Sequence, residues 1–242
     1  KGGIIKTGCH AVCYDGAPEV SATIADICRE KQVPLNQLDF SRLEPVSQNL
    51  EGQEFRWKGE AYRMKLTGAH QLCNAAVVLN VARQLQEIGW DKITADTIRK
   101  GIREVSWPGR FEIVGRAPLF IIDGGHNPQC IQALVENIKD YLANKKIIVV
   151  AGVLADKDYG QMYVPVMPFV QEFVCITPPN PRRLDASLLA QYLKEAGAKA
   201  TACGSIPEGV KTAMEKAGQD GVVLSFGSLY TIGSIKEALD EQ

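Results

Sequence analysis

The sequence predicts an α/β protein whose second half is a mainly parallel, Rossmann-like sheet with helices on both faces. Three observations lead there. From Leu119 onward, apolar runs of four to seven residues alternate with turns and amphipathic helical stretches. Helices placed between successive strands act as crossovers, which are right-handed and make the sheet parallel. The first hundred residues lack this rhythm and read as a separate region of mixed character.

In that first region Ala11 to Tyr14 and Phe55 to Leu66 are β-rich, and a helix is expected near Val20 to Glu30. A long helix follows. Leu72, Ala75, Ala76, Leu79 and Ala82 share one face of it and Gly89 ends it. Thr94 caps a shorter helix carrying Ile98, Ile102 and Val105. Ser106-Trp107-Pro108-Gly109 then breaks the chain, which sets the expected domains at 1–107 and 108–242.

Beyond the break, strands are expected at Leu119 to Ile122, Ile147 to Val150, Val174 to Thr177, Lys199 to Cys203 and Val222 to Phe226. Ile131, Leu134, Val135, Ile138 and Leu142 recur at helical spacing, with Asn127 as N-cap and Pro128 in the first turn. Asp185 to Glu195 and Pro207 to Ala217 form further helices closed by Gly197 and Gly218, and Ser228 to Leu239 supplies the last. In such a sheet a ligand belongs at the carboxyl ends of the strands.

Lys and Arg number 27 against 28 Asp and Glu, so no basic excess is available for nucleic acid or an anionic membrane. The longest apolar runs, such as Ile147 to Val153, fall short of the roughly 20 residues that span a bilayer. Lys1 to Gly8 does not resemble a signal peptide. The seven cysteines contain no C-x-x-C pair, and Cys9, His10 and Cys13 lack a distant second pair of ligands, so free thiols in a cytoplasmic protein are expected.

Neither the dinucleotide fingerprint G-x-G-x-x-G nor the dipeptide Gly-Lys of a P-loop occurs. The most informative stretch is Ile121-Ile122-Asp123-Gly124-Gly125-His126-Asn127-Pro128, which sets an acid and an imidazole between a buried strand and a helix N-terminus. Backbone N–H groups and the helix dipole favour phosphate there. On the residues alone, Asp123 and Asn127 could equally cap the helix while His126 packs. Arg110, on the linker, could clamp phosphates or pair with a surface carboxylate. His70, Gln71 and Asn74 open the long helix and could do no more than cap it.

Taken together, Lys1-Gly2-Gly3-Ile4-Ile5-Lys6, Gly68-Ala69-His70-Gln71 with Asn74-Ala75-Ala76, Trp107-Pro108-Gly109-Arg110-Phe111-Glu112 and Asp123-Gly124-Gly125-His126-Asn127-Pro128 resemble the folylpolyglutamate synthase and dihydrofolate synthase group of the Mur ligases, in order and in spacing. Gly152-Val153-Leu154-Ala155-Asp156-Lys157-Asp158, Pro181-Arg182 and Gly227-Ser228-Leu229-Tyr230 are weaker echoes. The resemblance implies the C-terminal part of a central ATP-binding domain followed by a Rossmann-like ligase domain. It implies ATP-dependent addition of L-glutamate to the carboxylate of a folate, and in some members to dihydropteroate, through an acyl phosphate, with ATP and Mg²⁺ required. Asn74 would contact adenine, Arg110 the phosphates and Asp123 the ATP across the inter-domain cleft. His126 would donate to the transferring phosphoryl group and Ser228 would hold the incoming glutamate, unless it only caps a helix. Lys1 matches a lysine whose side-chain carbamate is an anionic oxygen ligand for the metal. Gly125 stands where relatives carry alanine.

The resemblance places the phosphate loop, the other metal ligands and most of the folate surface upstream of Lys1. These residues alone are therefore expected to lack ligase activity, and a monomer is expected. Two alternatives stand beside this reading: another Mur-type amino-acid ligase, and a nucleotide-binding module without chemistry. A nicotinamide-dependent oxidoreductase fails on the missing fingerprint.

Overall fold

The computed structural model describes residues 2–14 and 16–241, so Lys1 lies outside the described residues. The chain divides into two compact units, Lys1–Ser106 and Trp107–Gln242.

The first unit contains β1 (Ala11–Cys13), α1 (Pro18–Glu30), β2 (Leu35–Gln37), β3 (Leu43–Asn49), β4 (Gly52–Trp57), β5 (Glu60–Met64), α2 (Ala69–Glu87) and α3 (Ala95–Glu104). β1 and β2 pair in parallel, while β3, β4 and β5 form an antiparallel meander. In β4, Gln53, Phe55 and Trp57 are buried and Glu54 and Arg56 are exposed, the period-2 alternation of a strand with one wet face. Lys58 and Gly59 both take positive φ (51° and 86°), the tight turn that matches the twist of a two-residue hairpin. Phe55, Trp57 and Met64 pack on Leu72, Ala75, Ala76 and Leu79 of α2 and on Ile102 of α3. Thr94 caps α3 reciprocally with Thr97, as its position before an apolar periodic run leads one to expect.

The second unit contains β6 (Glu112–Arg116), β7 (Leu119–Ile122), α4 (Pro128–Tyr141), β8 (Ile147–Ala151), α5 (Tyr159–Tyr163), β9 (Glu172–Cys175), α6 (Ala186–Glu195), β10 (Ala200–Ala202), α7 (Ile206–Ala217), β11 (Val222–Phe226) and α8 (Ile232–Asp240). The sheet order is β10-β9-β8-β11-β7-β6, parallel throughout except at the β6–β7 hairpin. Every residue of β8 and β11 is buried, as central parallel strands covered on both faces must be. One core layer joins Phe120, Ile122, Ile148, Val150, Val174 and Val223 to Val210 and Ala213 of α7 and Ile235 and Ala238 of α8.

The structure differs from the sequence reading in four places. Strand β9 begins at Glu172, two residues before the expected Val174, because Glu172 is held in register by Thr201 Oγ1 (2.8 Å) and Lys216 (2.8 Å). The segment 159–169, unread in sequence, forms α5 and a 3-10 turn interrupted by prolines. β6 is an antiparallel edge strand. The last helix starts at Ile232, since Ser228 caps a separate 3-10 turn at Leu229–Thr231.

Leu134 is 1% exposed on α4, whereas Asn127 contributes one cap hydrogen bond, to the Cys130 amide (2.9 Å). Leu134→Ala is therefore expected to cost about 2–5 kcal/mol and Asn127→Ala about 1 kcal/mol. Native-state hydrogen exchange at the β11 amides checks the order of the two effects.

Candidate functional site

Of the residues singled out in the sequence, Asp123, His126 and Ser228 follow the carboxyl ends of β7 and β11. Strand β7 ends at Ile122, and the Asp123 amide still bonds to Ser225 O (2.8 Å), so the neighbouring strand fixes where the turn begins. The Asp123 carboxylate then reaches two backbone amides: Oδ1 accepts from Gly125 N (2.7 Å) and Oδ2 from Phe111 N (3.0 Å). The Gly124 amide donates to Gly109 O (2.7 Å), and Gly227, after β11, donates to Gly125 O (3.0 Å). Arg110 is thus flanked on both sides by residues bonded to the 123–125 turn.

The linker loop is shaped to allow this approach. Gly109 has φ +72° and is buried against α8, where a Cβ would run into the Ile232 side chain. Phe111 has φ +47°, a left-handed conformation that costs a bulky residue about 1–3 kcal/mol. The bond from its amide to Asp123 and the burial of its ring, centred 5.9 Å from that of Tyr141, offset the strain. Arg110 itself is exposed, and among the described residues its guanidinium has no hydrogen-bond or ion-pair partner. A fully charged fork left unpaired beside a turn rich in backbone N–H groups suits an anion.

His126 is half-buried, with Nδ1 2.8 Å from Gly124 O. A carbonyl has no proton to give, so Nδ1 carries the hydrogen and the neutral ring presents a bare Nε2. Donation from Nε2 to a phosphoryl oxygen consequently requires the imidazolium, a condition the sequence reading did not include. Asn127 caps α4 as expected. Asp123 does not cap it. Of the first-turn amides of α4, Pro128 has none, Cys130 gives its hydrogen to Asn127 Oδ1 and Ile131 to Asn127 O, which leaves that of Gln129 facing outward.

The remaining candidates fall as follows. Ser228 is buried, and its Oγ accepts from Tyr230 N (3.2 Å), so the structure shows it as a cap beside the turn. Asn74, on α2 of the first unit, is exposed and donates to Gln71 Oε1 (3.1 Å). It does not cap α2, whose N-cap is Gly68 without any side-chain bond. Lys1 is outside the described residues. Among the described residues no group of three or more His, Cys, Asp or Glu could hold a metal, and no helix is long and apolar enough to cross a membrane.

Comparison with known proteins gives the family. Residues 109–229, half of the chain, match the family model described as Mur ligase, glutamate ligase domain. The chain belongs to the Mur ligase family. This Mur ligase chain is 30% identical to the dihydrofolate synthase/folylpolyglutamate synthase of Bacillus subtilis, over 99% of its own length and 56% of the relative's. It is 29% identical to the folylpolyglutamate synthase of Lacticaseibacillus casei, over 99% of its own length and 56% of that protein's. Among solved structures, Escherichia coli FolC in complex with DHPP and ADP superposes with a TM-score of 0.81 at 26% identity, covering 99% of this chain and 55% of that one. The chain therefore spans about half the length of these relatives.

One site feature was not assigned from sequence. Glu112, inside the quoted motif, accepts from the Gly109 amide (2.8 Å). Its spacing, a carboxylate three residues after a turn amide, is the signal that could have found it, since the same spacing operates in a capping box.

Gly125 makes room for the carboxylate, because a Cβ there would lie 2.8 Å from Asp123 Oδ1. Asp123→Asn puts an NH₂ group against one of two N–H donors. The variant is expected to leave that amide without a partner at a cost of about 1–3 kcal/mol. Amide exchange at Phe111 and Gly125 checks this, with one of the two exchanging at least tenfold faster than in the wild type.

Proposed function

We propose that the protein carrying this chain adds L-glutamate to the carboxylate of a folate, or of dihydropteroate, at the expense of ATP. The observation that supports this most is the linker arginine tied through Asp123 to a turn that also presents His126 at a helix N-terminus. In this reading residues 1–107 are the C-terminal part of an ATP-binding domain and 108–242 the ligase domain. The relatives named dihydrofolate synthase/folylpolyglutamate synthase support the substrate class, and the ADP in the FolC structure supports the nucleotide.

The chemistry follows from the substrate. A carboxylate is a poor electrophile, so its oxygen first takes the γ-phosphoryl group of ATP and ADP leaves. The amine of glutamate then attacks the acyl carbon, an amide forms and phosphate departs with the bonding pair. The protein's task is to align these groups and to neutralise phosphoryl charge. Arg110 supplies a bidentate cation, and the amides of His126, Asn127 and Gln129 supply oriented donors. His126 in its imidazolium form donates from Nε2. Asn74 serves the adenine, and Ser228 orders the turn beside the incoming glutamate. Asp123 holds the loop and accepts from the nucleotide.

The negative charge on the phosphates of ATP would be partly neutralised by Mg²⁺, and the Lys1 carbamate is the ligand proposed for that ion. Among the described residues no acidic cluster is present to complete a metal shell. Because no Gly-Lys dipeptide occurs in the 242 residues, this chain by itself is proposed to bind nucleotide without turning it over. A monomer in the cytoplasm, where ATP is supplied, fits these roles.

Calorimetry with ADP tests the site. Arg110→Ala is expected to weaken binding at least tenfold, or about 1.4 kcal/mol or more. Equal heats for variant and wild type would remove the nucleotide from this turn, and turnover of ATP, glutamate and a folate by the isolated chain would contradict the division of labour.

A further inference from the structure

Arg110 is exposed and belongs to no helix or strand, yet the loop that carries it is held by α8 as well as by the 123–125 turn. Glu112, the first residue of β6, uses both carboxylate oxygens: Oε2 accepts from the Gly109 amide (2.8 Å) and Oε1 from Lys236 Nζ (2.7 Å). Lys236 is on α8, separated from Glu112 by 124 positions, so no local propensity accounts for the pairing. One turn earlier on the same face of α8, Ile232 lies against Gly109 so closely that a Cβ on the glycine would collide with it. A single helical face thus sets an apolar contact against the residue just before the arginine and a cation against the carboxylate that accepts from that residue's amide.

An ordinary surface ion pair contributes little, because water competes and two long side chains must be ordered. This one differs in two respects. Its partners are only about one-third exposed (33% and 30%), and its carboxylate is already oriented by a backbone donor. The energy of the pair is therefore directed into the conformation of Gly109 rather than spread over free rotamers. Gly109 in turn gives its carbonyl to Gly124 (2.7 Å), which couples the strap to the phosphate-facing turn.

We propose that Glu112 and Lys236 are positioning residues that strap the Gly109–Phe111 loop to α8 and so present Arg110 to the phosphates of the nucleotide. The proposal rests on the reading of the 123–127 turn as a nucleotide site. If the strap acts as described, removing its cation loosens the loop and lowers affinity while the core of the second unit stays folded.

The test uses the 242-residue chain with Lys236→Met, Lys236→Arg, Glu112→Gln and Arg110→Ala. Two readouts are taken on each: amide exchange at Gly109 and Phe111 beside that of β11, and the Kd for ADP. Lys236→Met and Glu112→Gln are expected to raise Gly109 exchange at least tenfold and to weaken ADP binding three- to tenfold, with β11 exchange unchanged. Lys236→Arg is expected to restore both. Unchanged Gly109 exchange in Lys236→Met overturns the strap, as does a loosened loop with unaltered ADP binding when Arg110→Ala does weaken it. If Arg110→Ala also leaves ADP binding unaltered, the nucleotide reading fails instead, and the exchange data alone decide whether the loop is strapped.

Discussion

The carboxylate of Asp123 accepts hydrogen bonds from two backbone amides that belong to different loops, and the shape of this end of the sheet depends on that pair of bonds. An aspartate alone has two acceptor oxygens on so short a stem. It can therefore close the turn after β7 through Gly125 and at the same time hold Phe111 in a conformation that residue would not choose. Arg110 inherits its position from this arrangement. The parallel sheet contributes by fixing Asp123 itself, whose amide is still paired with β11.

Strain and charge are thus placed next to each other at the strand ends, where α/β sheets carry their ligands. The left-handed Phe111 and the unpaired Arg110 guanidinium have no advantage for folding. Both become intelligible if an anion is to be received. The buried Tyr163 hydroxyl donates to Phe226 O at 3.4 Å, at the end of β11, and burial pushes its phenol well above the ordinary range. The half-buried His126 is tethered by Nδ1 to its own turn.

Much of this was legible in the sequence because it is local. Uninterrupted apolar runs gave β7, β8 and β11, and glycines and caps marked the helix ends. The residues of the turn could be named because acid, imidazole and N-cap follow one another between a strand and a helix. What escaped is non-local. Nothing near Glu112 announces Lys236, and nothing near Asp123 announces Phe111 as its partner. The edge strand β6 was missed because it carries only five residues with a glycine among them, too short for periodicity to register. The protonated nitrogen of His126 likewise depends on a carbonyl distance and not on residue order.

Through the Mur ligase family the chain connects to relatives that are named for joining glutamate to folates, and it spans about half of their length. The one task proposed for it within such a reaction is the holding of phosphate charge at the β7–α4 turn. Titration of the ¹⁵N-labelled chain with ADP tests this most directly. The largest shifts are expected on the amides of Gly125, His126, Asn127 and Gln129 and on the Arg110 Nε resonance. Saturable binding that shifts other resonances and leaves these five in place would contradict it.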